Sequence, residues 1–384
     1  MRRRELTERF TQLFGGEPEI WTRAPGRVDL MGSHTDYNLG YVLTLPISRD
    51  TWIAARPRDD RSVRAYSLNV DEECCFDLNC RDESRARNWS DYLRGVAKVL
   101  ISEGYEVRGF DAVIHSTVPL SSGLSSSAAL ECATAATFQQ LAGWPWQPVQ
   151  MARLCQKAEN TFVGVNCGIL DQYTSCAGVA GCALLLDCRD LTSRPVHLDG
   201  SIQVVICDTR SKRELTGSEY GERRAQCEEG ARLLGIGHLR DISLERLQCE
   251  GPMLPAGIWK RCRFIVEENA RVLALAEALE SGARTAICRL TRESFAGAAD
   301  LYEIASESMH QMMSAMASAP GVIGARQAGA GFGGCMVAFV ERDRAEDFRA
   351  SVCASYAAAT GIVPEVYAVQ AAAGAGAVDD PYAS

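Results

Sequence analysis

The sequence predicts an α+β protein of two lobes, on three observations. The first half alternates short strand patterns with Gly- and Ser-rich turns. A long stretch from about 217 to 318 carries helical periodicity, and two further strand patterns follow near the end of the chain. At ~150 residues per domain, 384 residues suit two such units. They are expected at 1–190, strand-rich, and at 191–384, helix-rich, with a small-molecule cleft between them.

Taken in order, residues 52–55 (WIAA) and 63–66 (VRAY) read as strands. At 110–115, Phe110, Ala112 and Ile114 alternate onto one face. Between them Leu93, Val96, Ala97 and Leu100 repeat at helical spacing over 91–100. A Gly-hinged, Ser-rich loop at 120–127 then runs into an Ala-rich helix at 128–141. In the second half, helices are expected at 219–234, 261–279, 291–296, 301–316 and 344–357, and strands at 325–327 and 336–340. The small-residue segment 371–377 is expected to fray. Arg2, Arg3 and Arg4 are expected to form a solvated end, and His115 to face a neighbouring strand or solvent.

The balance of residues is that of a soluble globular protein: 47% hydrophobic and 23% charged, with net charge −9. An acidic chain lacks the basic footprint that nucleic acid or an anionic membrane requires, so neither is an expected partner. No apolar run is long enough to span a bilayer, and the basic start has no apolar core of a signal peptide behind it. The 16 cysteines are spread along the chain with no CxxC pair; Cys74, Cys75 and Cys80 lack a second cluster that would complete a zinc site. A reduced, cytoplasmic protein is expected, with cysteines serving as small core hydrophobes.

Four segments carry the chemistry. The loop 119–129, PLSSGLSSSAA, presents backbone N–H groups and hydroxyls at the positive end of a helix, which is an anion site; no GK[ST] follows, so it is not a Walker A loop. Segment 24–40, APGRVDLMGSHTDYNLG, is too polar for a core strand, and its adjacent donors and acceptors suit a polyhydroxylated ligand, unless they only cap a turn. Asp171, in GVNCGILDQ, is either a helix-surface residue or a poised base. The dense glycines of 328–335, AGAGFGGC, permit close backbone approach or a plain hairpin turn.

Together and in this order, GRVDLMGSHTDYNLG, PLSSGLSSSAAL and AGAGFGGC resemble the three signature motifs of the GHMP small-molecule kinases. The chain is similar to galactokinases within them, with CGILDQY and SEYGERRAQCEE as further matching segments over residues 21–366. The resemblance implies a two-lobed fold with the active site in the cleft, ATP and Mg2+, and phosphorylation of a sugar at C1, most directly D-galactose. It implies catalytic roles for Asp171 and Arg27, metal contacts at Ser127 and Glu159, and sugar contacts at Ser33, His34, Asp36, Gly168 and Tyr220. ATP would be held by Trp89 and Tyr92 near adenine and by Ser121, Ser122, Gly123, Leu124, Ser125 and Ser126 around the phosphates. A monomer is expected.

Two positions depart from the family pattern. Ser33 replaces a Glu that contacts the sugar towards C6, and Asp29 replaces an Asn. Losing a charged hydrogen bond forfeits roughly 1.5–3 kcal/mol of recognition, so position 33 is a specificity position. L-Arabinose, which lacks the hydroxymethyl group, and galacturonate are the alternative substrates; Asp29 and Met31 also resemble plant-type arabinokinases. A silent sugar sensor is a further alternative, but such relatives are damaged in the Ser-rich loop, which is intact here.

Overall fold

The computed structural model describes residues 2–79, 85–120, 122–211 and 218–378; Cys80 and Ser121 lie outside them. The strands are β1 (Ile20–Met31), β2 (Tyr41–Pro57), β3 (Ser62–Ser67), β4 (Glu72–Asp77), β5 (Phe110–Ser116), β6 (Cys182–Asp187), β7 (Thr192–His197), β8 (Ile202–Asp208), β9 (Val322–Gln327), β10 (Cys335–Glu341), β11 (Glu365–Val369) and β12 (Gly376–Ala377). The helices are α1 (Arg2–Phe14), α2 (Ser90–Ser102), α3 (Ser126–Ala142), α4 (Pro148–Ala158), α5 (Leu170–Ala177), α6 (Ser218–Leu233), α7 (Leu244–Glu250), α8 (Ala256–Glu280), α9 (Arg284–Asp300), α10 (Glu307–Ala317) and α11 (Ala345–Thr360).

One sheet has the order β12-β1-β2-β5-β3-β4, and the first part of β2 also pairs with β6, which pairs with β7. The other is antiparallel, β11-β8-β10-β9. The α+β architecture is therefore as expected, but the boundary set at residue 190 falls inside the first sheet, because β7 still pairs with β6. The lobes also share a core: Val28, Leu30 and Leu45 pack in one cluster with Val204, Ile206, Val272 and Val337. Such a shared apolar layer holds the cleft walls in fixed relation.

Four local expectations are corrected. The segment judged too polar for a core strand begins in β1, where 24–31 is buried and paired with β2; Arg27 and Asp29 there bond to Asp171 and Ser33 rather than to solvent. The helix expected at 301–316 begins only at Glu307, since Arg223 and Arg261 donate to the carbonyls of Tyr302 and Leu301 and hold 301–306 as a turn. The small-residue tail is not frayed. Ala372, Ala375 and Val378 N–H groups donate to Pro46, Ser175 and Trp21 carbonyls at 2.8–2.9 Å, and a Cβ on Gly374 would meet the Cys176 carbonyl at 2.4 Å. Its small residues are what allow the chain to lie there. Finally, the basic start is helix α1, with Leu6 and Phe10 buried. Arg2 pairs with Asp50 at 2.5 Å and donates to His115 Nδ1 at 3.0 Å, while Arg3 lies over the Trp21 ring.

Helix α3 is small-residue-rich for a physical reason. It runs beneath β1 and beside α2, α4 and α5, and Ala128, Ala129, Cys132, Ala133 and Ala136 are buried along it. An element enclosed on all sides shows little amphipathic stripe. Most described cysteines are buried and all are free, and Cys132 and Cys176 touch at 3.3 Å. Among the described residues no helix is long and apolar enough to cross a membrane.

Candidate active site

A cavity of about 720 Å3 lies where β1, the turn after it, the N-termini of α3 and α5, α6 and the 328–334 loop converge. Arg27 and Asp171 meet on its wall. Arg27 Nε and Nη2 reach Asp171 Oδ1 at 2.7 and 2.5 Å, and Nη1 donates to the Gly123 carbonyl at 2.5 Å. One guanidinium thus ties the carboxylate to the Ser-rich loop. Asp171 sits in the first turn of α5, where the helix dipole favours an anion, and its side chain stays 25% exposed.

The Ser-rich loop is shaped by backbone as much as by side chains. Gly26 lies so close to it that a Cβ there would meet the Leu124 carbonyl at 2.7 Å. Ser125 enters α3 at φ 60°, a conformation costly for a residue with a side chain, and its buried hydroxyl has no hydrogen-bond partner among the described residues. Strain and an unpaired donor at a helix N-terminus mark an anion cradle. Gly123, Ser125, Ser126 and Ser127 line the cavity. Ser122 instead donates to the Pro119 carbonyl at 2.9 Å, and the Leu124 side chain is buried in the shared core.

Behind Ser127 stands Glu159, buried at the end of α4. It accepts from Gln172 Nε2 at 2.6 Å and Cys167 Sγ at 3.2 Å, with Ser127 beside it on the cavity wall. Burial, then repulsion from Asp171, pushes its carboxyl above the ordinary range. Tyr92 faces the same corner, its phenol pushed up to about 12 by burial and by Glu159. Tyr92 also lines a neighbouring cavity of about 750 Å3 with Arg85, Arg87, Asn88, Asp91 and Val163. Trp89 lines neither; its indole donates to Glu72 at 3.1 Å.

The opposite wall carries Ser33, His34, Asp36 and Tyr220. His34 is fully engaged: Nε2 meets the Ala330 carbonyl at 2.9 Å and Nδ1 meets the Tyr37 hydroxyl at 2.9 Å. Because a carbonyl only accepts, Nε2 carries the proton and Nδ1 accepts. Burial lowers the imidazole to about 4, so it is neutral at pH 7. It therefore ties the turn to the Gly-rich loop rather than offering a free donor. Asp36 is raised to about 6 by burial and by the carboxylates of Asp171 and Asp29. It lies directly against Gly168, where an added Cβ would fall 1.6 Å from Asp36 Oδ2.

Several wall residues had no signal of their own in the sequence. Arg224 donates to Asn166 at 3.2 Å, Cys167 and Val165 close the floor, and Ala330 faces His34. Arg326 is hidden behind the wall, fully buried on β9. Its neighbourhood to Ser33 spans 293 positions in the chain, and no local pattern encodes that.

Comparisons with known proteins show the family. The family model for the GHMP kinases N terminal domain matches residues 91–179, that for the GHMP kinases C terminal region matches 275–358, and the galactokinase galactose-binding signature matches 8–57. A galactokinase of Roseiflexus sp. (strain RS-1) is 44% identical over 381 residues, covering 98% of this chain and 97% of that protein. The crystal structure of Lactococcus lactis galactokinase complexed with galactose superposes with a TM-score of 0.93 at 34% identity, covering 98% of this chain and 100% of that one. Methanococcus jannaschii mevalonate kinase shares the fold at a TM-score of 0.67 and 15% identity, covering 93% of this chain and 99% of its own.

Proposed function

Because this chain belongs to the galactokinases of the GHMP kinase family, we propose that it transfers the γ-phosphoryl group of ATP to the C1 hydroxyl of D-galactose, giving galactose 1-phosphate and ADP. The observation that carries the reading is the Arg27–Asp171 pair, set between a hydroxyl-recognising wall and a helix N-terminus built for phosphate.

Phosphoryl transfer depends on positioning and charge neutralisation more than on covalent help. Asp171 orients the C1 hydroxyl and accepts its proton as O1 bonds to the γ-phosphorus and the bond to the β,γ-bridging oxygen breaks. Arg27 holds that carboxylate in place and offers positive charge to the reacting oxygens. The amides of 123–126 and the α3 dipole hold the phosphates. Adenine is assigned to the second cavity, which joins the first at Tyr92. Ser127 and Glu159 fit Mg2+: a buried carboxylate under repulsion beside a hydroxyl gains from a cation, and Mg2+ characteristically takes one or two protein ligands plus phosphates. Bound there, Mg2+ would neutralise β- and γ-phosphate charge. Galactose is assigned to the wall of Asp36, Gly168, Tyr220 and Ser33, with His34 fixing its shape.

Free cysteines throughout the described residues support a reducing, cytoplasmic setting. The test is ADP release with MgATP and D-galactose. Asp171→Asn is expected to lower kcat by about 10²–10⁴-fold with the fold retained. An unchanged kcat would overturn the assignment of Asp171.

A further inference from the structure

The two positions that depart from the family pattern touch each other. Ser33 Oγ donates to Asp29 Oδ2 at 2.6 Å and accepts from Arg326 Nη2 at 2.9 Å. A serine has one proton and two lone pairs; Asp29 takes the proton and Arg326 one lone pair, so Ser33 keeps a single neutral acceptor site where a Glu would offer a carboxylate. Arg326 is held by Ser294 at 3.0 Å and Glu268 at 3.3 Å, and Glu268 by Arg271 at 2.8 Å and Ser294 at 2.7 Å.

In this network Asp29 Oδ1, Arg326 Nη1 and Arg271 Nη2 have no hydrogen-bond partner among the described residues, and of the three residues only Asp29 lines the cavity, its side chain 1% exposed. The same Nη1 stands 3.7 Å from Asp29 Oδ2. Buried polar atoms left unpaired are costly and call for a partner. An unpaired carboxylate oxygen at a cavity wall matches a hydroxyl, which can donate to it. Asp29 and Ser33 line the cavity and Arg326 does not, so the open acceptor is that of Asp29, at the wall where a sugar would bind.

The strand selects which hydroxyl. Arg27 and Asp29 are two apart in a regular stretch of β1, pairing with Pro46 and Thr44, so their side chains leave the same face ~6–7 Å apart. With C1 at Arg27 and Asp171, a hydroxyl that far away is the one on C4, across the ring, or the one at the end of the C6 arm. Because the acceptor is recessed, the flexible CH2OH arm reaches it better than a ring hydroxyl does. Resting on the sugar-kinase reading above, we infer that Asp29, braced by Arg326 through Ser33, binds the C6 hydroxyl and has taken over the recognition that a Glu at position 33 provides elsewhere. D-Galactose is then preferred over L-arabinose, which lacks the arm, and over galacturonate, whose carboxylate would meet that of Asp29.

The test compares kcat/KM for D-galactose and 6-deoxy-D-galactose, with L-arabinose and D-galacturonate alongside, in the wild type and in Asp29→Asn. The wild-type ratio of galactose to its 6-deoxy analogue is expected to be about 10–100, the value of a charged hydrogen bond, and to fall to a few-fold in the variant, where only a neutral bond remains. A ratio taken within one protein is independent of how much of it folds, and the wild-type ratio requires no variant at all. A wild-type ratio near 1, or an unchanged ratio in Asp29→Asn, overturns this inference and leaves the kinase reading intact. A preference for arabinose or galacturonate also overturns it. Turnover of no sugar overturns both.

Discussion

Gly168→Ala tests the sugar wall without touching a polar group. The new Cβ would lie 1.6 Å from Asp36 Oδ2 and 2.4 Å from its Cγ. Ordinary contact needs about 3.5 Å, so the carboxylate must retreat by nearly 2 Å. A hydrogen bond of ~2.8 Å stretched that far is lost. If Asp36 accepts a sugar hydroxyl, the loss is about 1.5–3 kcal/mol, or roughly 10–150-fold in kcat/KM for galactose. The KM for ATP should stay within about twofold, because the phosphate loop is not displaced. Steady-state ADP release at varied galactose and then varied ATP reads both, and a melting curve checks that the fold persists. A kcat/KM for galactose within twofold of wild type, in a folded variant, would refute the reasoning.

Asp36 also predicts a pH dependence. Its raised value near 6 means that the folded protein holds a proton there that the unfolded chain releases near 3.8. This contribution to stability is fully present below 3.8 and is lost as pH rises through 6. For binding, the ionised form is the acceptor, so kcat/KM for galactose should fall below pH 6, and a flat profile down to pH 5 would contradict the assignment. Ser127→Ala, which removes a hydroxyl beside Glu159, should raise the Mg2+ concentration needed for half-maximal rate by several-fold while leaving galactose KM unchanged; a change confined to galactose KM would relocate that serine's role. Ending the chain after Gln370 deletes several buried backbone hydrogen bonds, for a loss of about 2–5 kcal/mol. Denaturant unfolding checks it, and an unchanged midpoint would restore the frayed reading of the tail.

The site's chemistry was legible wherever it is encoded in contiguous residues. The Ser-rich loop, the Gly-rich loop and the polar turn at 32–38 each depend on local backbone geometry, and local geometry leaves a composition signature. The fold was legible where periodicity is regular, as in α2 and α8, and where small helix-favouring residues follow a Ser-rich loop, as in α3. It was misread where tertiary contacts override composition. β1 looks too polar for a core strand because Arg27 and Asp29 find their partners 144 and 297 positions away. The tail looks idle because small residues signal both flexibility and close packing, and only the Cys176 carbonyl behind Gly374 distinguishes the two. His34 looks like a ligand by motif, yet both its nitrogens are taken by Tyr37 and Ala330.

The network behind the wall also explains why positions 29 and 33 are not independent. Two carboxylates, Asp29 and Glu268, stand around the buried Arg326, and Arg271 links Glu268 outward to Glu267, so three acids share two guanidinium groups. The family pattern, an Asn at position 29 with a Glu at position 33, would keep that balance, and so does Asp29 with Ser33. A carboxylate at both positions would add a fourth acid to two guanidinium groups, and a carboxylate at neither would leave Arg326 only Glu268, which Arg271 also holds. Breaking a buried ion pair by removing one partner costs on the order of 3–5 kcal/mol. Either single change therefore passes through a strained protein, whereas the exchange of both moves the carboxylate from a turn to a strand and keeps it within reach of the same side of the cavity. Taken alone, Ser33 looks like a lost contact and Asp29 like a neutral change; joined through Arg326, they are one substitution.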